Sequence, residues 1–372
     1  MGSSRLLVSR RGTDRRGWLR GAPPPRWVRV LPVALVVAVC VATLVSSEPL
    51  EIGFLLGAIP PLAVLSYGPL ATALLGAAVI VLLNVHAFRL DQPGQTDLLT
   101  VCFVAVLSVF VSFVRSRRDT QLDLERTVAV AAQQAIVPPV PEKVGAVRCA
   151  GLYRAAQDGT LVGGDFFDVR RGPFGVRAVL GDVQGHGLAA VATVASLLGA
   201  FREAVLDQPD LEAVAARLDR RLEADSARTP HAELFATAVL LEFADDARAV
   251  RAVSCGHPAP LLLRAGAATE LAVEPWQPLG LGLPGAGPPK GVAVELWPDD
   301  RLLLVSDGVV EARDAAGTFY PLTERLTEFA SVPVTALPER LWTDLGGYAE
   351  SLGDDVTMLA LAPEAPAAPE RR

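Results

Sequence analysis

A chain of 372 residues accommodates one domain of about 200–250 residues plus further segments, and its mean hydropathy of +0.36 is too high for an ordinary cytosolic protein. The net charge of −7 is unevenly divided: residues 1–118 hold 12 arginines against five acidic residues, and the remainder holds 22 basic against 36 acidic ones. So acidic a C-terminal part argues against nucleic acid as a partner, and four cysteines without C-x-x-C spacing argue against a disulfide framework or a thiolate metal site.

In chain order, residues 1–27 read as a basic tail and 28–114 as four transmembrane helices. The runs 30–47, 52–88 and 98–114 contain no Asp, Glu, Lys or Arg. As one straight helix the middle run would be about 55 Å long, which overshoots a hydrocarbon core of roughly 30 Å. It must fold back, and Ser66, Tyr67, Gly68 and Pro69 supply the turn chemistry between segments of about 16 and 19 residues. Arginines before the first span, and Arg115, Arg117 and Arg118 after the last, place both ends on the cytoplasmic side of the plasma membrane. A competing reading takes RRGWLR at 15–20 as part of a twin-arginine export signal, but the further spans and the Arg-rich exit speak against it.

Residues 115–140 read as a helical linker. No Gly or Pro interrupts 119–137, and Leu122, Val128, Ala131, Ala132, Ala135 and Ile136 recur at near-helical spacing before Pro138, Pro139 and Pro141 end the segment. It is either a tether or a signalling helix that pairs with a second copy in a homodimer. From 141 to 362 the pattern alternates strands and helices. Strand-like runs fall at 144–153, 166–170, 175–183, 235–243, 249–255, 261–263, 293–296, 302–305 and 356–361, and helical patterns at 188–206, 211–225 and 338–351. Hairpins with a few grouped helices make the class α+β. The Ala/Pro-rich stretch 363–372 reads as a disordered tail.

Four aspartate motifs lie at the ends or turns of those runs: GGDFFD at 163–168, GDVQGHG at 181–187, SDGVVEA at 306–312 and DDVTMLAL at 354–361. Carboxylates aimed into one pocket from distant segments are what a pair of hard divalent cations requires, and Mg²⁺ or Mn²⁺ takes oxygen ligands in near-octahedral geometry. Asp168, three residues past Asp165, reads as a strand-end surface acid, and Gly163, Gly164 and Gly185 as positions of tight backbone geometry. Cys255 and His257 make a poor metal pair without two further ligands. His257 reads as shaping a turn, and His86 as an interfacial residue.

In order and spacing, these motifs resemble the type 2C (PPM-type) metal-dependent serine/threonine protein phosphatases, in the bacterial branch typified by the stage II sporulation phosphatase and the sigma-factor regulatory phosphatases. FATAVLLEF, SCGHPAPLLL and QPLGLGL resemble that branch too. The resemblance implies a β-sandwich flanked by helices, with two Mn²⁺ or Mg²⁺ ions at one end of the sheets and a metal-activated water as nucleophile. By the same resemblance Asp182 is the ligand shared by both ions, and Val183 lends a backbone carbonyl. Asp165 belongs to one ion, and Asp307 and Asp354 to the other; Asp354 is favoured by counting back from Val356 and Thr357, and Asp355, which stands where asparagine is commoner, is the alternative metal ligand or a support behind it. A histidine that serves the wider superfamily as general acid is replaced here by Gln184, with His186 two residues further on. The implied substrate is a phosphorylated protein, with a phosphorylated anti-anti-sigma factor leading. The alternative is a non-catalytic membrane sensor or scaffold whose phosphatase-like domain binds a signalling partner.

Overall fold

The computed structural model describes residues 26–45, 53–84, 95–137, 139–155, 163–228, 234–283, 285, 287–350 and 352–364. The loop acids Glu48, Glu51 and Asp91, with Arg89, His86, most of the basic tail and the end of the Ala/Pro-rich tail, lie outside the described residues. The chain forms two compact units, residues 1–124 and 125–372.

The first unit is helical. Helix α1 spans Arg26–Val45, a 3-10 segment Gly53–Ala58 leads into the short α2 (Ile59–Val64), α3 spans Pro69–Asn84, and α4 starts at Gln95. The expected turn is where the sequence places it, after α2, because Gly68 and Pro69 interrupt the helical hydrogen bonds. The segment before that turn departs from the expected 16-residue helix. Pro60 and Pro61 lack the amide hydrogens that a continuous helix needs, so α2 starts only at Ile59, with proline in its first turn. Val39, Leu56, Ile59 and Val79 form a small core here. Most large apolar side chains of the unit instead face outward, Leu70 at 76% exposure and Phe103 at 68%. Among the described residues, 100–121 of α4 and a helix of the second unit are long and apolar enough to cross a membrane; Val28–Ala42 and Pro69–Leu82 are shorter apolar helices. The expected linker helix is the C-terminal part of α4, which is continuous from Gln95 to Ile136.

The second unit is a four-layer sandwich. One sheet has the order β1-β2-β12-β11-β7-β8, from Lys143–Val144, Val147–Arg154, Val356–Pro363, Arg301–Val305, Leu261–Arg264 and Ala267–Glu270. The other runs β10-β6-β5-β4-β3, from Val292–Glu295, Ala249–Cys255, Ala236–Phe243, Gly175–Val183 and Asp165–Gly172, with β9 (Pro275–Trp276) beside β6. The period of two decides the layers. Leu302, Leu304, Leu359 and Leu361 point into the inter-sheet core with Phe167, Ala178, Leu180 and Val239. Leu303, Val305, Met358 and Ala360 point outward against α8 (Leu322–Glu328) and α9 (Leu337–Tyr348). Phe166, Val179 and Val183 face α5 (Leu188–Asp207) and α6 (Leu211–Ser226) on the far side. Strands β11 and β12 therefore read as continuous apolar runs, because both of their faces are covered. The architecture is α+β, a sandwich of two mainly antiparallel sheets flanked by helices, as the strand and helix runs predict.

Candidate metal centre

Antiparallel pairing brings four aspartate motifs to one end of the sandwich. Strand β3 begins at Asp165, and Asp165 pairs directly with Asp182 near the end of β4. Strand β11 ends at Val305, after which Ser306 precedes the one-turn helix α7 (Asp307–Val310), and β12 starts immediately after Asp354 and Asp355. One carboxylate oxygen from each of Asp165, Asp182 and Asp307 falls within 4.8 Å of the others.

The electrostatics of this group are unfavourable as it stands. Burial, then the charge of Asp182, push the Asp165 carboxyl well above its ordinary range, partly offset by the Thr357 hydroxyl. Asp182 is raised to about 7 by burial and then by Asp307 and Asp354, and Asp307 is raised by burial and Asp354. After burial, neighbouring carboxylates are the largest influence raising each of the three. Massed, buried carboxylates lower their energy by taking up protons or a cation, and an all-oxygen donor set fits Mg²⁺ or Mn²⁺ rather than a soft metal.

The surrounding backbone is shaped to this cluster. A Cβ at Gly164 would sit 2.0 Å from the Val183 carbonyl oxygen and 2.7 Å from Asp182 Oδ1, so only glycine allows β3 and β4 to approach here. Gly163 faces the Asp355 carboxylate, to which its amide donates at 3.0 Å. The Tyr153 hydroxyl donates to the same Asp355 oxygen at 2.5 Å, so that carboxylate, 3% exposed, ties β2 and the approach to β3 together. Asp354 is exposed; it accepts from the Asp355 amide at 2.8 Å and acts through its charge on Asp182 and Asp307. Asp354 and Asp355 both lie outside the close trio.

Three supporting residues carry little signal in sequence. Thr357 donates to Asp165 Oδ2 at 2.5 Å and fixes its rotamer; its place in DDVT, facing the same end as Asp355, is the one clue. Ser306 accepts from the Thr357 amide at 2.9 Å and donates to the Asp355 carbonyl at 3.3 Å, joining the ends of β11 and β12. His257 is a strut between the sheets. Its Nε2–H donates to the Val305 carbonyl at 3.1 Å, leaving Nδ1 to accept from Thr237 Oγ1 at 2.8 Å, and Thr237 pairs with Asp182 across β4 and β5. Burial lowers its pKa to about 4, so the ring is neutral at physiological pH. His186 is exposed in the turn before α5.

Asp168 corrects an expectation. It is no surface acid: 5% exposed, it accepts from Arg202 Nε at 2.7 Å and from Arg170 Nε at 2.9 Å. The alternation that would turn it outward meets α5, whose Arg202 also donates to the Ile136 carbonyl at 3.1 Å, at the end of α4. Ala132 and Ile136 pack on Val191 of α5.

The stage II sporulation protein E family matches residues 172–363. The crystal structure of the RsbU and RsbW domains of a Mycobacterium tuberculosis protein is similar at 27% identity and a TM-score of 0.51, over 62% of this chain and 63% of that one. The PP2C domain of SiaA from Pseudomonas aeruginosa is similar at 19% identity and a TM-score of 0.54, over 67% and 98% of the two chains, a likeness of fold.

Proposed function

The chain belongs to the stage II sporulation protein E family of PPM-type phosphatase domains, and from that premise we propose that it is a membrane-anchored phosphatase of phosphoserine or phosphothreonine in a regulatory protein. The observation that carries the reading is the convergence of Asp165, Asp182 and Asp307 within 4.8 Å, with proton affinities raised by burial and by neighbouring carboxylates. Two Mn²⁺ or Mg²⁺ ions at this site would supply charge neutralisation of the phosphoryl group and a water activated for in-line attack, with no phosphoenzyme.

In this reading Asp165, Asp182, Asp307 and Asp354, with the Val183 carbonyl, would hold the two ions, Asp182 serving both, Asp165 one, and Asp307 and Asp354 the other. Thr357 orients Asp165, and Asp355, held by Tyr153 and Gly163, sets the loop from which Asp354 projects. Residues 141–362 form the phosphatase domain, 28–114 the membrane region and 115–140 the linker, with the catalytic domain cytoplasmic. Support for the membrane placement comes from the apolar stretch 100–121 and the outward-facing apolar side chains of the first unit. A phosphorylated anti-anti-sigma factor is the substrate class, and the similarity to a chain carrying RsbU and RsbW domains supports a regulatory protein of that kind.

The test is phosphate release from a phosphoserine protein by the full chain in lipid. Turnover with Mn²⁺ that is lost in chelator supports the proposal. Bound metal without turnover on any phosphoprotein favours the non-catalytic sensor instead.

A further inference from the structure

One end of the helical unit holds a polar pocket of about 210 Å³ built from three distant parts of the sequence. The start of α1 contributes Arg29, the turn after α2 contributes Ser66 and Tyr67, and α4 contributes Ser112, Arg115 and Asp119. Hydrogen bonds fix this meeting point. The Tyr67 hydroxyl donates to the Arg29 carbonyl at 2.5 Å, Ser112 Oγ to the Tyr67 carbonyl at 3.2 Å and Arg115 Nη1 to the Val64 carbonyl at 3.0 Å.

Three features of the pocket call for an anion. The Arg29 guanidinium has no ion-pair partner among the described residues. Arg115 faces Asp119 only loosely, Nε to Oδ2 at 3.8 Å with both side chains about half exposed or more, so its charge is not consumed by a tight pair. The Ser66 hydroxyl is buried in the pocket wall without a hydrogen-bond partner among the described residues, and a buried polar group of this kind calls for a ligand or ordered water to satisfy it. Guanidinium groups beside a hydroxyl donor recognise phosphate oxygens. Exposed apolar side chains adjoin the lining: Leu65, itself a lining residue, is 41% exposed, and Val30 and Phe113, chain neighbours of the lining residues Arg29 and Ser112, are 59% and 47% exposed. A ligand joining a phosphate to acyl chains matches both parts at once.

We propose that this pocket binds a phosphate-bearing anion, supplied by the head group of an anionic phospholipid at the membrane surface. The source rests on the membrane placement argued above; the anion chemistry does not. Arg29, the turn at 66–68 and Arg115 are also the three points that the sequence puts on the same, cytoplasmic, side.

The test uses the full chain in nanodiscs of phosphatidylcholine, with chelator present so that the aspartate cluster cannot hold phosphate through metal. Binding of short-chain phosphatidylglycerol and of inorganic phosphate is measured separately. Tighter binding of phosphatidylglycerol, weakened at least tenfold in R29Q and R115Q and unchanged within twofold in R118Q, is the expected result. Because R115Q also removes a bond to Val64, S66L provides a second variant that fills the pocket and keeps both arginines; it should weaken binding likewise. Inorganic phosphate binding as tightly, with the same variant pattern, assigns the pocket to a free anion and overturns the lipid source. Equal binding by all variants, or none above phosphatidylcholine, overturns the site. A chain that does not enter the bilayer overturns the membrane placement, and the inorganic phosphate arm in detergent then decides the pocket alone.

Discussion

Two helical stretches of this protein have almost the same mean hydropathy and length, and different neighbours. The stretch 100–121 in α4 has 17% of its most apolar window buried, whereas α5, over Leu188–Asp207, has 56% buried. Helix α5 lies on β3 and β4, and its Val194, Leu197, Leu198 and Phe201 share one core with Phe166 and Val179 of those strands. Along 100–121, Phe103, Val106 and Phe110 are each more than 60% exposed. Hydrophobicity tells a helix to leave water, but only its neighbours say whether it enters a protein core or a bilayer.

The largest effect expected on the sandwich side of that comparison falls on chemistry, with packing intact. Asp182→Asn and Asp307→Asn should each lower kcat/KM for a small aryl phosphate by about 10³-fold, equal to about 4 kcal/mol, while far-ultraviolet circular dichroism stays unchanged. Wild-type turnover by either variant would remove the metal centre from the argument. Next comes packing. Leu198→Ala should destabilise the sandwich by about 2–5 kcal/mol in urea unfolding, and Phe110→Ala in α4 should leave that transition unmoved. If both shift it equally, the contrast between the helices fails.

A pH series sharpens the same point from the electrostatic side. The Asp182 carboxyl is raised to about 7 in the fold, against an ordinary 3.8, so the native state binds the extra proton. Its contribution is present at low pH and is lost as pH rises from about 4 through about 7. Metal-free protein should therefore lose stability between pH 5 and pH 8, Asp182→Asn should recover roughly 2–4 kcal/mol of it at pH 8, and Mn²⁺ should do the same for wild type. A melting temperature independent of pH and metal would contradict this. His257 works in the other direction: with its pKa lowered to about 4, stability falls as pH drops from about 6.5 toward 4. Comparing variants at each pH separates the two.

Smaller effects should come from residues that position others. Thr357→Val removes the donor to Asp165 Oδ2 and should weaken Mn²⁺ binding by about 10-fold in a calorimetric titration. Unchanged affinity would mean that the sheet alone fixes Asp165. Arg202→Gln frees the Ile136 carbonyl and one side of Asp168; about 1–2 kcal/mol of stability should go with it, and turnover of the full chain should shift by severalfold or less. An identical unfolding midpoint would make the clamp at the end of α4 inconsequential.

Much of the candidate site is readable in the chain because its chemistry sits in local patterns. GGDFF and GDV place Asp165 at the start of one strand and Asp182 at the end of the next, and SDG places Asp307 where a strand stops. Glycines at 163 and 164 announce close backbone approach, and contacts of 2.4 and 2.0 Å to a hypothetical Cβ give the reason. Period-two alternation locates β4, β5, β11 and β12, and proline and glycine locate the turn after α2. The short elements β8, β9, α7 and α8 leave no such trace, since two to seven residues are too few for a periodic signal.

What the sequence alone determines is therefore one-dimensional: the apolar runs, the division of charge, the strand ends and the four acidic motifs. Tertiary structure decides everything that depends on a neighbour from another segment. It turns Asp355 inward to Tyr153 and Gly163 and leaves Asp354 exposed, a choice that adjacent identical residues cannot reveal. It buries Asp168 by bringing Arg202 from α5, and it makes His257 a strut because Thr237 and Val305, 20 and 48 residues away, arrive on either side of its ring. Side-chain partners at such separations are set by sheet pairing and layer packing, and no local window of sequence contains them.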